Sequence, residues 1–218
     1  LKKQKDFGKI LLNLLTILFV WSELRWEMSV DRKKLILEAA TKSFSLFGYK
    51  ATTMDQVAKI ANVGKGTIYT FYKNKEELFK EIVQRMIEEM KYEAEQSLDD
   101  QFSFFENLHR AVYRILEFRQ EHQLSLKLLQ EEREIGTPAV QEMVNEMEEA
   151  IVSYIKEKLK SAIDKGYIQP CDPEITAFLM LKMYLALIFD WERNHEPLGK
   201  EEIAELFKIY LFKGLSVT

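Results

Sequence analysis

From residue 29 onward, apolar positions recur at three- and four-residue intervals with few turn residues between them, which predicts a succession of helices. Ser29 caps the first. In it Leu35, Ala39, Phe44 and Phe47 recur at helical spacing, and Gly48 supplies the residue suited to a left-handed end. Thr53-Met54-Asp55-Gln56 reads as a capping box for a short second helix with Val57, Ala58 and Ala61 as its small inward face. Asn62-Val63-Gly64-Lys65-Gly66 is a tight turn. The third helix follows, with Ile68 and Tyr72 four apart and facing inward, so that Lys65, Thr67, Tyr69 and Thr70 face outward. Asn74-Lys75-Glu76-Glu77 is a second capping box and opens a long helix from about Lys75 to Gln96.

Beyond Asp100 the pattern predicts helices from about Phe102 to Glu121 and from Leu124 to Arg133. Another starts with Thr137 as cap and Pro138 at its first position, and Gly166 closes it after Lys165. Asp172-Pro173 repeats that signal for a helix reaching His195, and a last helix runs from Lys200 to about Leu215. Between Ile175 and Trp191 the apolar sequence is broken only by Thr176, Lys182 and Asp190, so this helix is apolar all round and must be buried on more than one side. Its length and Lys182 make it a poor membrane span. Burial by the core on one face and by a second subunit on the other is the simplest solution.

Composition strengthens the all-α reading. The 218 residues include only 8 Gly and 4 Pro, too few turn formers for a sandwich or barrel. One cysteine, Cys171, fits a reducing cytoplasm and excludes an internal disulfide framework. His109, His122 and His195 lie far apart, which argues against a zinc site. Neither a metal nor a cofactor is expected. No nucleophile–His–acid set and no dinucleotide loop points to an enzyme.

The net charge of −4 conceals a division. Residues 31–75 carry nine Lys/Arg against three Asp/Glu, a net of +6, whereas residues 76–218 carry seventeen against twenty-nine, a net of −12. A basic head on an acidic body suits a protein that touches a polyanion at one end. Residues 1–28 stand apart. Lys2, Lys3, Lys5 and Lys9 precede an apolar run from Ile10 to Trp21, resembling a signal peptide without a cleavage site. The run is too short to span a bilayer. The better expectation is an upstream mis-assigned start, with Met28 as the natural beginning. The expected organisation is an apolar extension over 1–28, a basic three-helix domain over 29–75, and an acidic helical domain over 76–218.

Two short helices joined by a glycine-containing turn, the second with a polar and aromatic outer face, form a helix-turn-helix. Lysines there neutralise phosphates, hydroxyls donate to phosphate oxygens, and a threonine methyl can rest against thymine. Gly64-Lys65-Gly66-Thr67 also resembles a P-loop. It fails as one, because Lys59 stands where the first glycine belongs and Gly66 where Ser or Thr should follow the lysine.

From about Leu35 to Phe79 the chain resembles the TetR family of repressors. The likeness rests on Ala39, Phe44, Gly48, Thr53, Val57, Ala58, Val63, Gly66, Thr67, Tyr69, Tyr72, Lys73, Asn74, Lys75 and Leu78. It implies that Tyr69 and Lys75 contact the DNA backbone and that Thr53, Lys65, Thr67 and Thr70 face the groove or its rim. With Gly66 and Lys73 these make the expected DNA-binding set. Phe71 departs from the pattern, since phenylalanine cannot hydrogen-bond a phosphate, and Tyr72 adds a hydroxyl in need of a partner. The resemblance implies a homodimer built on the last two helices, for which the candidates are Phe178, Lys182, Leu185, Phe189, Ile203, Leu206, Phe207 and Tyr210. It also implies a palindromic operator in double-stranded DNA and a small-molecule effector in the body. Candidates for the effector site are Phe105, Tyr113, Phe118, Glu131, Tyr184 and Trp191, although aromatic residues at helical spacing are commonly core. Glu131, on the apolar face of its helix, either meets a cationic ligand or pairs with an arginine such as Arg119.

Overall fold

The computed structural model describes residues 32–99, 101–121 and 123–216, the side chains of 119–121 excepted. Ser29 and the extension over 1–28 lie outside the described residues. Every regular element among those described is a helix. α1 spans residues 32–47, α2 Met54–Ile60, α3 Lys65–Phe71 and α4 Lys75–Gln96. The body adds α5 Phe104–Glu121, α6 Leu124–Ile135, α7 Pro138–Asp164, α8 Pro173–Leu185, α9 Lys200–Phe207 and the short α10 Lys213–Leu215.

The head closes over Ile36, Ala40 and Phe44 of α1, Val57 and Ala58 of α2, Ile68 of α3 and Leu78 and Phe79 of α4, all 3% exposed or less. Phe79 meets Phe44 edge to face at 5.3 Å and lies 4.6 Å from the Tyr49 ring. Of the expected inward stripe of α1, Ala39 and Phe44 are buried, whereas Leu35 and Phe47 are 40% and 55% exposed, and Ile36, Leu37 and Ala40 complete the core face. The α2 capping box forms as expected, with the Thr53 hydroxyl accepting from Gln56 N at 3.2 Å and Gln56 Oε1 accepting from Thr53 N at 2.8 Å. At α4, Asn74 Oδ1 caps Glu77 N at 2.8 Å, while the Glu77 carboxylate takes Lys73 N at 2.7 Å instead of the cap's own N–H. The Tyr72 hydroxyl finds its partner in Glu81, at 2.9 Å. Burial opposes ionisation of Glu81, but bonds from Lys33, Tyr72 and Arg85 outweigh it and hold its pKa below the usual carboxylate value. α1, α3 and α4 are thereby joined at one carboxylate.

In the body α4 and α7 run parallel, joined by Lys80–Glu146 at 2.8 Å near their starts and by Lys158–Glu95 at 2.6 Å near their ends. α5 runs antiparallel to α4, with Arg114 on Glu93 at 2.7 Å. α8 runs antiparallel to α7, with Lys182 on Glu148 at 2.7 Å. The α8 hydrogen-bond pattern does not continue to His195. It widens at Ala186–Asp190 into a π-helical turn, and α9 does the same at Lys208–Phe212. A wider turn changes the angular step between successive side chains, and it shifts which residues face outward. Leu185, Ile203 and Phe207, expected at a dimer seam, are 9%, 0% and 2% exposed inside the single chain. The outward apolar face contains Phe178 and Tyr210 of the expected set, together with Ile175 and Leu179 on α8 and Ile209 in the π-helical turn after α9.

Head and body meet at Glu131. This carboxylate on α6 is 4% exposed, and it accepts from Tyr49 N at 2.6 Å, from Lys50 N at 2.9 Å and from the Thr137 hydroxyl at 3.0 Å. Its described partners are backbone groups of the head, with Thr137 from its own domain, and the Arg119 side chain lies outside the described residues. Gly48 makes room for it. Its φ of +82° suits glycine, and a Cβ there would lie 2.5 Å from Glu131 Oε2. Replacing Glu131 by alanine leaves one buried and one half-buried N–H group without acceptors, so stability should fall by about 1–3 kcal/mol. A urea-unfolding midpoint unchanged in Glu131→Ala would overturn this account.

Candidate nucleic-acid interface and effector cavity

The third helix presents Thr67, Tyr69 and Thr70 outward because Ile68 and Tyr72, 0% and 2% exposed, anchor its other side. Tyr69 is 45% exposed. Lys65 at the start of α3 reaches Asp55 in the first turn of α2 at 2.9 Å, which brings the beginnings of these two helices side by side. Both partners are well exposed, and such a pair contributes little to stability, so a phosphate can replace the carboxylate. Thr53 and Lys73 are also exposed. The Thr70 hydroxyl donates to Thr67 O at 2.7 Å and leaves its methyl group on the surface.

Gly66 is informative because nothing inside the fold requires it. Its φ is not left-handed, and a Cβ would meet nothing within 4 Å. Glycine within a helix costs about 1 kcal/mol relative to alanine. The missing side chain leaves space beside Lys65 and Thr67 for the backbone of a partner.

Lys75 departs from the expected set. Its ammonium donates to Tyr49 O at 2.8 Å and Thr52 O at 3.0 Å, and it lies 4.1 Å from the Tyr49 ring centroid. Burial pulls its pKa below the ordinary lysine value. The side chain is turned inward and ties α4 to the α1–α2 loop, the loop that Glu131 holds from the other domain.

A cavity of about 750 Å³ lies within the body between α4, α5 and α7. Phe105 and Tyr184 line it, as expected. Phe118 instead borders a smaller void of about 40 Å³ at its inner end, together with Leu126 and Leu129 of α6. Tyr113 and Trp191 are elsewhere. Tyr113 bonds Glu201 at 3.0 Å, and Trp191 stacks on His195 at 4.0 Å with its indole N–H on Glu196 O. Sequence reasoning missed the α7 contribution: Ile151, Tyr154, Ile155, Lys158, Ala162 and Lys165. Their three- and four-residue spacing was the available signal. It resembled ordinary core packing interrupted by solvent-facing lysines.

The profile of bacterial regulatory proteins, tetR family, matches residues 36–82, and that of the tetracyclin repressor-like C-terminal domain matches residues 103–215. The chain belongs to the TetR family. The HTH-type transcriptional regulator YhgD of Bacillus subtilis (strain 168) is 64% identical over 189 residues, covering 87% of this chain and 99% of that protein. A TetR-family transcriptional regulator from Syntrophomonas wolfei shares the fold with a TM-score of 0.71 at 19% identity, over 86% of this chain and 97% of the other. SmeT, solved in complex with triclosan, does so with a TM-score of 0.66 at 20% identity, over 82% and 90%. TetR-family proteins are helix-turn-helix transcriptional regulators that bind DNA, and they are not enzymes. Among the described residues no helix is long and apolar enough to cross a membrane.

Gly66 gives a test that separates fold from DNA. Gly66→Ala should raise stability by about 0.5–1 kcal/mol. The bulkier Gly66→Leu should weaken DNA binding by roughly tenfold while leaving the protein folded, as read by fluorescence anisotropy and thermal unfolding. Undiminished DNA binding by the leucine variant would show that no backbone approaches this point.

Proposed function

We propose that this TetR-family protein is a cytoplasmic homodimeric repressor that holds a palindromic operator and releases it when a small molecule fills the body cavity. The observation carrying this reading is the outward face of α3, where Thr67, Tyr69 and Thr70 stand beside an open Gly66 in a domain of net positive charge. Tyr69 and Lys73 would hold phosphates, while Lys65, Thr67 and Thr53 would reach the groove or its rim. Lys75 keeps a supporting role, because its ammonium is committed to the α1–α2 loop.

The exposed apolar residues Ile175, Phe178, Leu179, Ile209 and Tyr210 support dimerisation, with Lys182 and Leu206 at their margin. Ile175, Phe178, Leu179 and Lys182 stand at helical spacing on one side of α8. Burying such a face against its symmetry mate places two reading heads on a two-fold axis, and two-fold heads require a palindromic site.

Release would proceed through α6. The smaller void at the inner end of the cavity is bordered by Leu126 and Leu129, and Glu131 follows two residues later with its grip on Tyr49 N and Lys50 N. A ligand that fills the cavity in one arrangement of α6 and not the other shifts the population of heads able to bind. Glu131→Gln should therefore weaken the dependence of operator affinity on effector more than it weakens operator binding itself.

Anisotropy titrations against DNA from the upstream region of the gene test the whole reading. Specific binding should fall steeply with salt and by at least about tenfold in Tyr69→Ala. Phe178→Asp combined with Leu179→Asp should yield a monomer by analytical ultracentrifugation and lose operator affinity. Binding without sequence preference at any salt concentration would sink the regulator reading, and a tight monomeric complex would sink the dimer. A reporter whose transcription rises with the protein present would overturn repression.

A further inference from the structure

The charge of the cavity wall contradicts the charge of the domain around it. Residues 76–218 carry twenty-nine acidic against seventeen basic residues, yet the charged residues lining the cavity are three lysines, Lys91, Lys158 and Lys165, with no Asp or Glu among the described lining. We propose that the cavity takes a long-chain carboxylate, with its hydrocarbon tail between α4, α5 and α7 and its head group at the lysine end. This rests on the reading of the cavity as the effector site.

Polarity along the cavity gives the orientation. Its lining on α7 and the residue that caps it runs from Ile151 to Lys165, about 21 Å at 1.5 Å per residue. Because α4 and α7 are parallel, the end nearest the head is lined by Ile87, Met90, Ile115, Ile151 and Leu181, without a charged side chain. The opposite end holds Lys158, Lys165 and Tyr167, and Lys91 lies between the two ends on α4. An apolar channel with cations gathered toward one end matches an amphipathic anion and no other simple class. A cationic amphiphile would meet three like charges, with the neighbouring Glu95 carboxylate already held by Lys158 and Tyr154. A sugar or nucleotide would leave its many hydroxyls without partners along the apolar end.

The lysines differ in what already neutralises them. Lys158 pairs with Glu95 at 2.6 Å, and Lys165 lies over the Tyr167 ring at 5.9 Å. Among the described residues, neither Lys91 nor Lys165 forms an ion pair. Their charges at the edge of an apolar wall gain most from an anion that brings its own hydrocarbon into the channel. The volume of about 750 Å³ is of the size usual for a small-molecule site.

Calorimetric titration of the full chain with palmitate, palmityl alcohol and palmitylamine, each below its micelle concentration, tests the assignment. Palmitate should bind at least about tenfold more tightly than the alcohol or the amine, the size of one charged hydrogen bond. Lys158→Met with Lys165→Met should bring palmitate to within about threefold of the alcohol, and arginine at both positions should restore the preference. Palmitoyl-coenzyme A, whose thioester carbonyl is uncharged, is a further ligand, and tighter binding of it than of palmitate overturns the carboxylate assignment. Equal affinity for palmitate and palmitylamine overturns the proposal, as does palmitate binding unchanged by the double methionine variant. Absence of palmitate binding with operator affinity intact removes the ligand class and leaves the regulator standing. Palmitate binding with no effect on operator affinity keeps the ligand class and removes the effector role.

Discussion

A carboxylate withdrawn from water needs donors, and Glu131 takes them from backbone 82 residues earlier in the chain. The N–H groups of Tyr49 and Lys50 have left α1 and belong to no later helix, so they need acceptors as much as Glu131 needs donors. Each side satisfies the other only when α6 lies against the α1–α2 loop. Gly48 permits the approach, and Lys75 pulls the same loop from α4 through Tyr49 O and Thr52 O. The buried Ser43 and Thr52 hydroxyls, 3.0 Å apart, complete the fastening from within the head. Moving this joint alters every one of these bonds together, which makes it suited to two discrete arrangements and poorly suited to a continuum.

The joint gives the two domains a common mechanical element. α4 begins with Lys75 under the reading head and further along lines the body cavity with Ile87, Met90 and Lys91. α6 carries Glu131 near one end and borders the inner void with Leu126 and Leu129. Helices are kept stiff by their own hydrogen bonds, and the cavity and the head lie toward opposite ends of the same pair of helices. The acidic body and the basic head follow the same division of labour. Positive charge is concentrated where a polyanion is met and, inside the body, where the cavity lining has no acid of its own.

Legibility of the sequence followed the range of the interaction. The capping box at Thr53, the Asn74 cap and the left-handed Gly48 depend on residues within a turn of one another, and they formed where expected. The outward set on α3 was legible for the same reason, since Ile68 on a seven-residue helix and Tyr72 at its end leave the other faces exposed. Lys75 illustrates the limit. Its place beside a helix start pointed toward phosphate, yet carbonyls 23 and 26 residues away claim its ammonium. Trp191 and Tyr113 had the composition of a binding site, but the π-helical turn and the packing of α9 against α5 put them elsewhere.

By itself the sequence determined an all-α chain, the boundaries of most of its helices to within a few residues, a helix-turn-helix with its outward face, and the charge division between head and body. These are set by periodicity and local capping, which act over a single turn of chain. Tertiary structure alone decided which lysines face a cavity, which apolar residues remain outside the core, and where Glu131 finds its donors. Each depends on how helices far apart in sequence lie against one another, and a side chain's neighbours across a helix interface leave no periodic trace in its own segment.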